Sequence, residues 1–446
     1  MMSPKEPLDP NSYFIRSFGC QMNVHDSEHI AGVLESAGYA PAPDAALAGL
    51  IVFNTCSVRQ SAEDRVWGNL GSLGHKESGL PLVAVCGCMA ERFGVEILRR
   101  APAVNLVFGL DALDRLPGLL DRCADARTCD TGRLDSMDYE GLASKRGDHA
   151  RAWVPVSHGC DNYCSYCVVP YVRGGHRSRE PREIISEVQR LTADGVIEVT
   201  LLGQNVNAYG CDLAEEVDFA GLLARVAAVP GIMRVKFETS HPRDLSDDLL
   251  EVMARTPELC EYLHLPVQAG SDSVLEAMNR GYGRDYYLER VQRAREVVPG
   301  LVLSTDIMVG FPGESEKDFR DTVRLVEEVR FDSAYIFIYS RREETPAAKM
   351  EGELPAEVRS SRFAELSGVQ NGITASSLEA LEGRVLEVLV EGCARKGDLS
   401  RGRTRGNRVV LLPRSAAPAG ALIDVRVVGA GRHALRGELV RITRHP

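Results

Sequence analysis

No apolar run in this 446-residue chain approaches the roughly 18 residues that a membrane-spanning helix needs; the longest, at 50–53 and 82–85, are strand-sized. The N-terminus, MMSPKEPLDPN, has no apolar stretch of the kind a secretory signal carries, and it reads as a short unstructured lead. Both absences point to a cytoplasmic protein with no membrane partner. In that compartment thiols stay reduced, so twelve cysteines need a use other than disulfides. Ser-His-Asp, P-loop and HExxH arrangements are missing as well, and so is any repeat at a fixed period. Positive charge is scarce overall: the formal net of −11 excludes a protein that coats nucleic acid with its whole surface.

What is present is globular composition, 44% apolar and 26% charged, at a length suited to two to four domains. Charge is distributed unevenly. From residue 381 onward 13 basic residues face 6 acidic ones, a net of +7 that leaves −18 for the rest. A basic tail on an acidic body suggests a polyanion handled locally. Within the tail, RKGDLSRGRTRGNR holds Arg395, Lys396, Arg401, Arg403, Arg405 and Arg408 against one Asp. No Phe, Tyr or Trp occurs after residue 380, so base stacking on aromatic rings is excluded and phosphate contact is the expected mode.

From 12 to about 122, strands near 13–18, 50–54, 82–85 and 104–108 alternate with helical periodicity, which implies a doubly wound parallel sheet. A polar stretch at 126–147 reads as a linker. The β-α rhythm restarts at 153, with strands near 153–157, 198–202, 233–238, 262–266, 301–308 and 334–339. Six such units fall short of the eight of a closed barrel and predict an open (β/α)6 partial barrel. After a helical connector, β-rich runs at 384–390, 409–412, 421–428 and 438–442 predict a small all-β barrel-like module. The expected domains are therefore 12–125, 148–380 and 381–446.

Cys160, Cys164 and Cys167 stand in HGCDNYCSYC with C-x3-C-x2-C spacing. Three thiolates in eight residues reach three corners of one 4Fe–4S cluster and leave one iron open. A zinc site recruiting His158 or His176 as a fourth ligand is the alternative. A second trio follows from the predicted sheet. Cys20, Cys56 and Cys88 each come just after one of its first three strands, in SFGC, FNTC and VCGC. Neighbouring strands lie about 4.8 Å apart, so one further cluster at the carboxyl edge is within reach of all three. Alternation along 83–86 turns Cys86 away, into the sheet. Cys123, Cys129, Cys211, Cys260 and Cys393 have no paired spacing and receive no role.

These features are carried by long motifs: GCQMN (19–23), NTCS (54–57), GCMAER (87–92), GCDNYCSYCVVPYVRG (159–174), LLGQNVNAYG (201–210), TSHP (239–242), LHLPVQAGS (263–271), GFPGE (310–314) and GRTRGNRVV (402–410). Over nearly all of 12–443 the chain resembles the radical S-adenosylmethionine methylthiotransferases, and most of all their tRNA 2-methylthioadenosine synthase branch. The resemblance implies an N-terminal methylthiotransferase domain, a radical domain and a C-terminal TRAM module that binds RNA. It implies two 4Fe–4S clusters held by the two cysteine trios, with S-adenosylmethionine as methyl donor and radical source. The implied reaction puts a methylthio group on C2 of N6-isopentenyladenosine at position 37, in the anticodon stem-loop of tRNA. Partners would be an electron donor such as flavodoxin or ferredoxin, and a sulfur source. The cofactor cradle is expected at strand ends: Gly203, Gln204 and Asn205, then His264 and Gln268, then Asp306, with Arg179 pairing the cofactor carboxylate. His264 as a satisfied core histidine and Asn205 or Gln268 as helix caps are the plainer alternatives.

Two positions depart from the family pattern. His176 stands where Glu is usual, and Glu344 stands where Gly is usual, which removes a residue free to take positive φ. Rival readings keep the chemistry but change the target, to threonylcarbamoyladenosine in tRNA or to an aspartate of a ribosomal protein. A non-catalytic iron–sulfur RNA-binding regulator is the rival of another class.

Overall fold

A computed structural model describes residues 9–58, 60–73, 81–123, 126–132, 142–394 and 398–446. Residues 1–8 of the N-terminal lead and two of the candidate RNA-binding residues, Arg395 and Lys396, lie outside the described residues; the last three residues of the lead, expected to be unstructured, begin the first strand. The chain divides into two compact units. The first holds everything to Gly147 together with His158–Asp161 and Cys167–His176, and the second holds Asp148–Ser157, Asn162–Tyr166 and Arg177–Pro446.

The first unit runs β1 (Asp9–Ser17), α1 (Gln21–Ser36), β2 (Ala40–Pro41), β3 (Ala48–Thr55), α2 (Gln60–Ser72), β4 (Leu82–Gly87), α3 (Cys88–Phe93), α4 (Val95–Arg100), β5 (Leu106–Phe108), α5 (Leu116–Cys123) and β6 (Thr128–Asp130). The sheet order is β2-β1-β3-β4-β5-β6, and all its pairings are parallel. Helices cover both faces, which explains the unbroken apolar run of β3. Leu50 and Val52 pack toward Ile30 and Leu34 of α1 and Leu119 of α5. Ile51 and Phe53 pack toward Val66 and Leu70 of α2 and Ile97 of α4. Cys86 is fully buried on the α1 face, as alternation predicts. β6 falls inside the expected linker. Its sequence, TCD, is half-buried at the sheet edge, so no hydropathy pattern announces it.

The second unit contains β7 (Arg151–Pro155), Ser157 of the two-residue strand β8 (Ser157–His158), whose His158 falls in the first unit, and the two-residue strand β9 (Arg177–Ser178). Helix α6 (Val169–Arg173) lies between β8 and β9 in the chain and belongs to the first unit. There follow α7 (Pro181–Ala193), β10 (Glu198–Leu202), α8 (Phe219–Ala227), β11 (Arg234–Phe237), α9 (Asp247–Arg255), β12 (Tyr262–His264), α10 (Asp272–Ala277), α11 (Arg284–Val297), β13 (Val302–Val309), α12 (Glu316–Val329), β14 (Ser333–Ile338) and the connector α13 (Ala356–Glu379). The six main strands form two parallel three-stranded sheets, β11-β10-β7 and β12-β13-β14. A single parallel bridge, Val235 to Leu259, joins them. This is the open six-stranded barrel predicted above.

At the C-terminus β15 (Val385–Cys393), β16 (Leu399–Thr404), β17 (Val409–Pro413), β18 (Leu422–Ala430) and β19 (Leu435–Arg444) close into a barrel. Four of these strands match the predicted runs. β16 was read only as a charge run, because its inward residues are Ser400, Gly402 and Thr404 while Arg401 and Arg403 alternate outward.

The barrel packs on the amino ends of the core strands. Fully buried Arg234, the first residue of β11, donates to the carbonyl oxygens of Arg403 and Thr404 and pairs with Glu198 at 3.0 Å. Burial opposes the Glu198 charge, yet Lys236 and Arg234 outweigh it and hold the carboxyl at about 2. Gly406 lies against β13, where an added Cβ would sit 2.4 Å from Val302 Cγ2.

Candidate functional site

In the first unit the strand order puts β1, β3 and β4 side by side, and each ends in one cysteine of the N-terminal trio. Cys20 caps α1, Cys56 follows β3, and Cys88 opens α3. Two glycines permit the crowding. At Gly19 (φ +137) a Cβ would lie 2.6 Å from Cys56 Cβ, and at Gly87 (φ +84) it would lie 2.4 Å from the Thr55 carbonyl oxygen. Two asparagines, missed at the sequence level, tie the loops together. Asn23 Nδ2 donates to Asn54 Oδ1 and to the Thr55 carbonyl, both at 3.1 Å, and Asn54 Nδ2 donates to the Asn23 carbonyl at 2.8 Å. Both asparagines sit inside motifs (GCQMN and NTCS), the only signal that could have pointed to them.

The electrostatics of the trio are those of soft donors awaiting a cation. Packing under the Cys20 sulfur raises its thiol although the residue surface is exposed; Arg173 pulls it back and Cys88 pushes it up again. Burial, then the neighbouring Cys88 and Cys20, push Cys56 to about 12. Three bare thiolates are unfavourable there, whereas a thiophilic metal centre would supply the missing positive charge. The donor set therefore fits an iron–sulfur cluster. Arg173 of α6 donates from Nε to Cys88 Sγ at 3.3 Å. A cavity beside these two residues is also walled by Glu91, whose carboxyl burial raises to about 7.

The C-x3-C-x2-C stretch is shaped locally. Gly159 takes φ +71, and a Cβ there would lie 1.9 Å from the Gly175 carbonyl oxygen. The Cys160 N–H donates to the Gly174 carbonyl at 3.2 Å. Cys164 is buried, while Cys160 and Cys167 are half-buried. In the second unit Arg280, also missed from sequence, donates to Cys164 Sγ at 3.3 Å and to the Pro266 carbonyl at 2.8 Å. The C-x3-C-x2-C spacing in the sequence, with a guanidinium donating to the Cys164 sulfur, suits a cubane with an open iron.

The carboxyl edge of the radical core gathers buried polar atoms that lack hydrogen-bond partners among the described residues: Ser157 Oγ after β7, Gln204 Oε1 after β10, and Ser240 Oγ and His241 Nε2 after β11. Orphans of this kind, converging at strand ends, are what a polar cofactor satisfies. Burial, with Arg280 and Arg243 nearby, depresses His241 to about 2, so its imidazole is neutral. Its Nδ1 accepts from the Arg243 N–H at 3.3 Å, which leaves the proton on Nε2. Thr239 and Gln268 hold φ values of 71 and 74, backbone strain concentrated at the same edge.

The nominated cradle residues divide. Gly203 is tightly placed, its Cβ position 2.6 Å from Ser157 Oγ, and Gln204 offers the orphaned oxygen. Asn205 staples loops, donating to Asp244 Oδ2 at 2.6 Å and accepting from the His241 N–H at 3.2 Å. His264 bonds Ser304 Oγ through Nδ1 at 2.8 Å, with Asp306 3.6 Å from Nε2. Gln268 contributes its strained backbone, bridged to Ile307. Arg179 donates to the Pro155 carbonyl at 2.7 Å and pairs with Glu187 at 2.8 Å. Of the two departures, the His176 N–H donates to Asp161 Oδ1 at 3.1 Å. Glu344 has no positive φ, so its loop does not require the glycine.

Among the described candidates, Arg401, Arg403, Arg405 and Arg408 have partners inside the second unit. Arg401 and Arg403 pair with Glu391, at 2.5 and 2.9 Å. Arg405 pairs with Glu261 at 2.9 Å and also donates to the Pro257 and Leu259 carbonyls, while Arg408 pairs with Asp332 at 2.6 Å. Arg405 and Arg408 thus fasten the barrel to the core.

Three family models match the chain: Radical SAM superfamily over residues 154–326, Uncharacterized protein family UPF0004 over 12–109, and TRAM domain over 379–440. Among solved structures, the radical S-adenosylmethionine methyltransferase TsrM from Kitasatospora setae, with cobalamin and a [4Fe-4S] cluster bound, shares the fold. The TM-score is 0.54 at 12% identity, covering 76% of this chain and 77% of that one. Partial barrel, three-cysteine loop and family match together define a radical S-adenosylmethionine enzyme with a TRAM module. Within that class the chain belongs to the family of the tRNA-2-methylthio-N(6)-dimethylallyladenosine synthases. It is 46% identical to the synthase of Carboxydothermus hydrogenoformans over 436 residues, 96% of this chain and 99% of the relative. It is 42% identical to that of Clostridium perfringens over 446 residues, 98% and 100% of the two chains.

Proposed function

We propose that this chain methylthiolates C2 of N6-isopentenyladenosine at position 37 of tRNA, beside the anticodon, giving the 2-methylthio derivative. The observation that carries the reading is the N-terminal trio, three cysteines at the ends of adjacent strands, in a chain that also carries the radical loop. Delivery of a sulfur calls for a second site of this kind. The residues fit two 4Fe–4S clusters, one on Cys160, Cys164 and Cys167 and one on Cys20, Cys56 and Cys88. When bound, these groups and S-adenosylmethionine supply a radical able to take an unreactive aromatic hydrogen, and the sulfur that replaces it.

The remaining tasks belong to this chain's own side chains. Ser157, Gln204, Ser240 and the Nε2 proton of neutral His241 orient the cofactor at the carboxyl edge. Asn23 and Asn54 hold the strand-end loops at one spacing. In the barrel, Arg401 and Arg403 exchange Glu391 for tRNA phosphates. A flavodoxin or ferredoxin supplies electrons, a separate donor supplies sulfur, and the setting is the cytoplasm. The test is mass spectrometry of tRNA nucleosides from cells lacking the gene and complemented with wild type or with Cys20, Cys56 and Cys88 replaced by Ala. The variant should lack methylthioadenosine yet still cleave S-adenosylmethionine to 5′-deoxyadenosine in vitro. Methylthio product from the variant would overturn the reading.

A further inference from the structure

Arg173 is held from two sides in the interior of the first unit. Its Nη2 donates to Asp26 Oδ2 of α1 at 3.1 Å, and its Nε donates to Cys88 Sγ at 3.3 Å. None of the three reaches the surface: Asp26 is 0% exposed, Cys88 4% and Arg173 7%. Val168, just before α6, and Val172, on it, pack against Cys88. Gly174 then ends the helix at φ 75, and its carbonyl accepts the Cys160 N–H. An ion pair this deep adds little stability over apolar residues of the same volume, so its place against a thiol calls for another reason.

We infer that Arg173 is a positioning residue for the N-terminal cluster, fixed by Asp26 and acting through the Cys88 sulfur to set that cluster's reduction potential. The inference rests on the reading of Cys20, Cys56 and Cys88 as cluster ligands. A cationic donor to a ligand sulfur favours the state with more negative charge on the cluster, which is the reduced one. Arg173 therefore holds the potential up. It lies six residues after Cys167 in the chain, so the segment that bears a radical-loop ligand also carries the residue that tunes the other centre.

The experiment uses the full chain with Cys160, Cys164 and Cys167 replaced by Ala, so that the N-terminal cluster is the signal. This parent should reconstitute with about four irons. Removing Arg173 alone would take the guanidinium from a buried Asp26 carboxylate, so the first variant is the neutral pair Asp26→Asn with Arg173→Gln, and the second is Arg173→Lys. Midpoint potential is read by redox titration with electron paramagnetic resonance, alongside iron content and circular dichroism. The neutral pair should keep about four irons with a lowered potential, and Arg173→Lys should fall between it and the parent. Full iron with an unchanged potential overturns the inference. Iron lost from both variants with circular dichroism unchanged also overturns it, because Arg173 would then retain the cluster and not tune it. A parent without iron, before Arg173 is touched, overturns the ligand reading and the inference with it.

Discussion

Arg280 stands to Cys164 as Arg173 stands to Cys88: a buried guanidinium donating to one sulfur of a trio at 3.3 Å. The cysteines themselves were legible because their spacing and strand-end positions are local properties of the chain. The arginines were not, since each reaches its sulfur from a position 116 or 85 residues away and carries no periodicity that marks it. Gly19 lies between these cases, visible in a motif but with its reason hidden until Cys56 is seen beside it. A side chain there meets Asn23 Oδ1 at 2.1 Å and also demands an unfavourable φ. Gly19→Ala is expected to disrupt the N-terminal site selectively. Reconstituted protein should fall from about eight irons to about four while still cleaving S-adenosylmethionine, as iron analysis and a cleavage assay would show.

At the scale of elements, β16 shows why charge runs mislead. Its six residues alternate as regularly as any strand, but the inward side is Ser, Gly and Thr, so hydropathy sees only the arginines. The turn that follows drives Arg405 and Arg408 onto Glu261 and Asp332, at the amino ends of the core strands. Two pairs of substitutions should therefore separate. Arg401→Ala with Arg403→Ala should weaken tRNA binding and flatten its salt dependence by up to about two units of log–log slope. Arg405→Ala with Arg408→Ala should leave that slope near wild type but lower the melting temperature and expose the α13 connector to protease. A salt titration of binding and a limited digest measure both. Equal slopes for the two double variants would remove Arg401 and Arg403 from the RNA surface.

For the whole molecule, the proposed assignment of the two cysteine trios to two clusters predicts two independently loaded centres. Wild type should hold about eight irons and the Cys160, Cys164 and Cys167 triple alanine about four, with the remaining cluster spectroscopically intact. If the triple variant bound no iron, the centres would not be independent.

The sequence by itself determined the two cysteine trios, the alternation of strands and helices, the basic tail and the lack of aromatics in it. Each of these depends on residues close along the chain or on composition, and each survives without knowledge of packing. Only the tertiary structure decided what surrounds the ligands. It showed that Arg179 pairs with Glu187, and that Asn205 and His264 are held by Asp244 and Ser304. It also showed that Ser157, Gln204, Ser240 and His241 have polar atoms at the carboxyl edge without a hydrogen-bond partner among the described residues. A side chain's partner is fixed by strand order, register and the low dielectric of a packed interior, where one guanidinium within hydrogen-bond reach outweighs many distant charges. That is a property of contacts between remote segments, and the chain acquires it only when its strand ends meet.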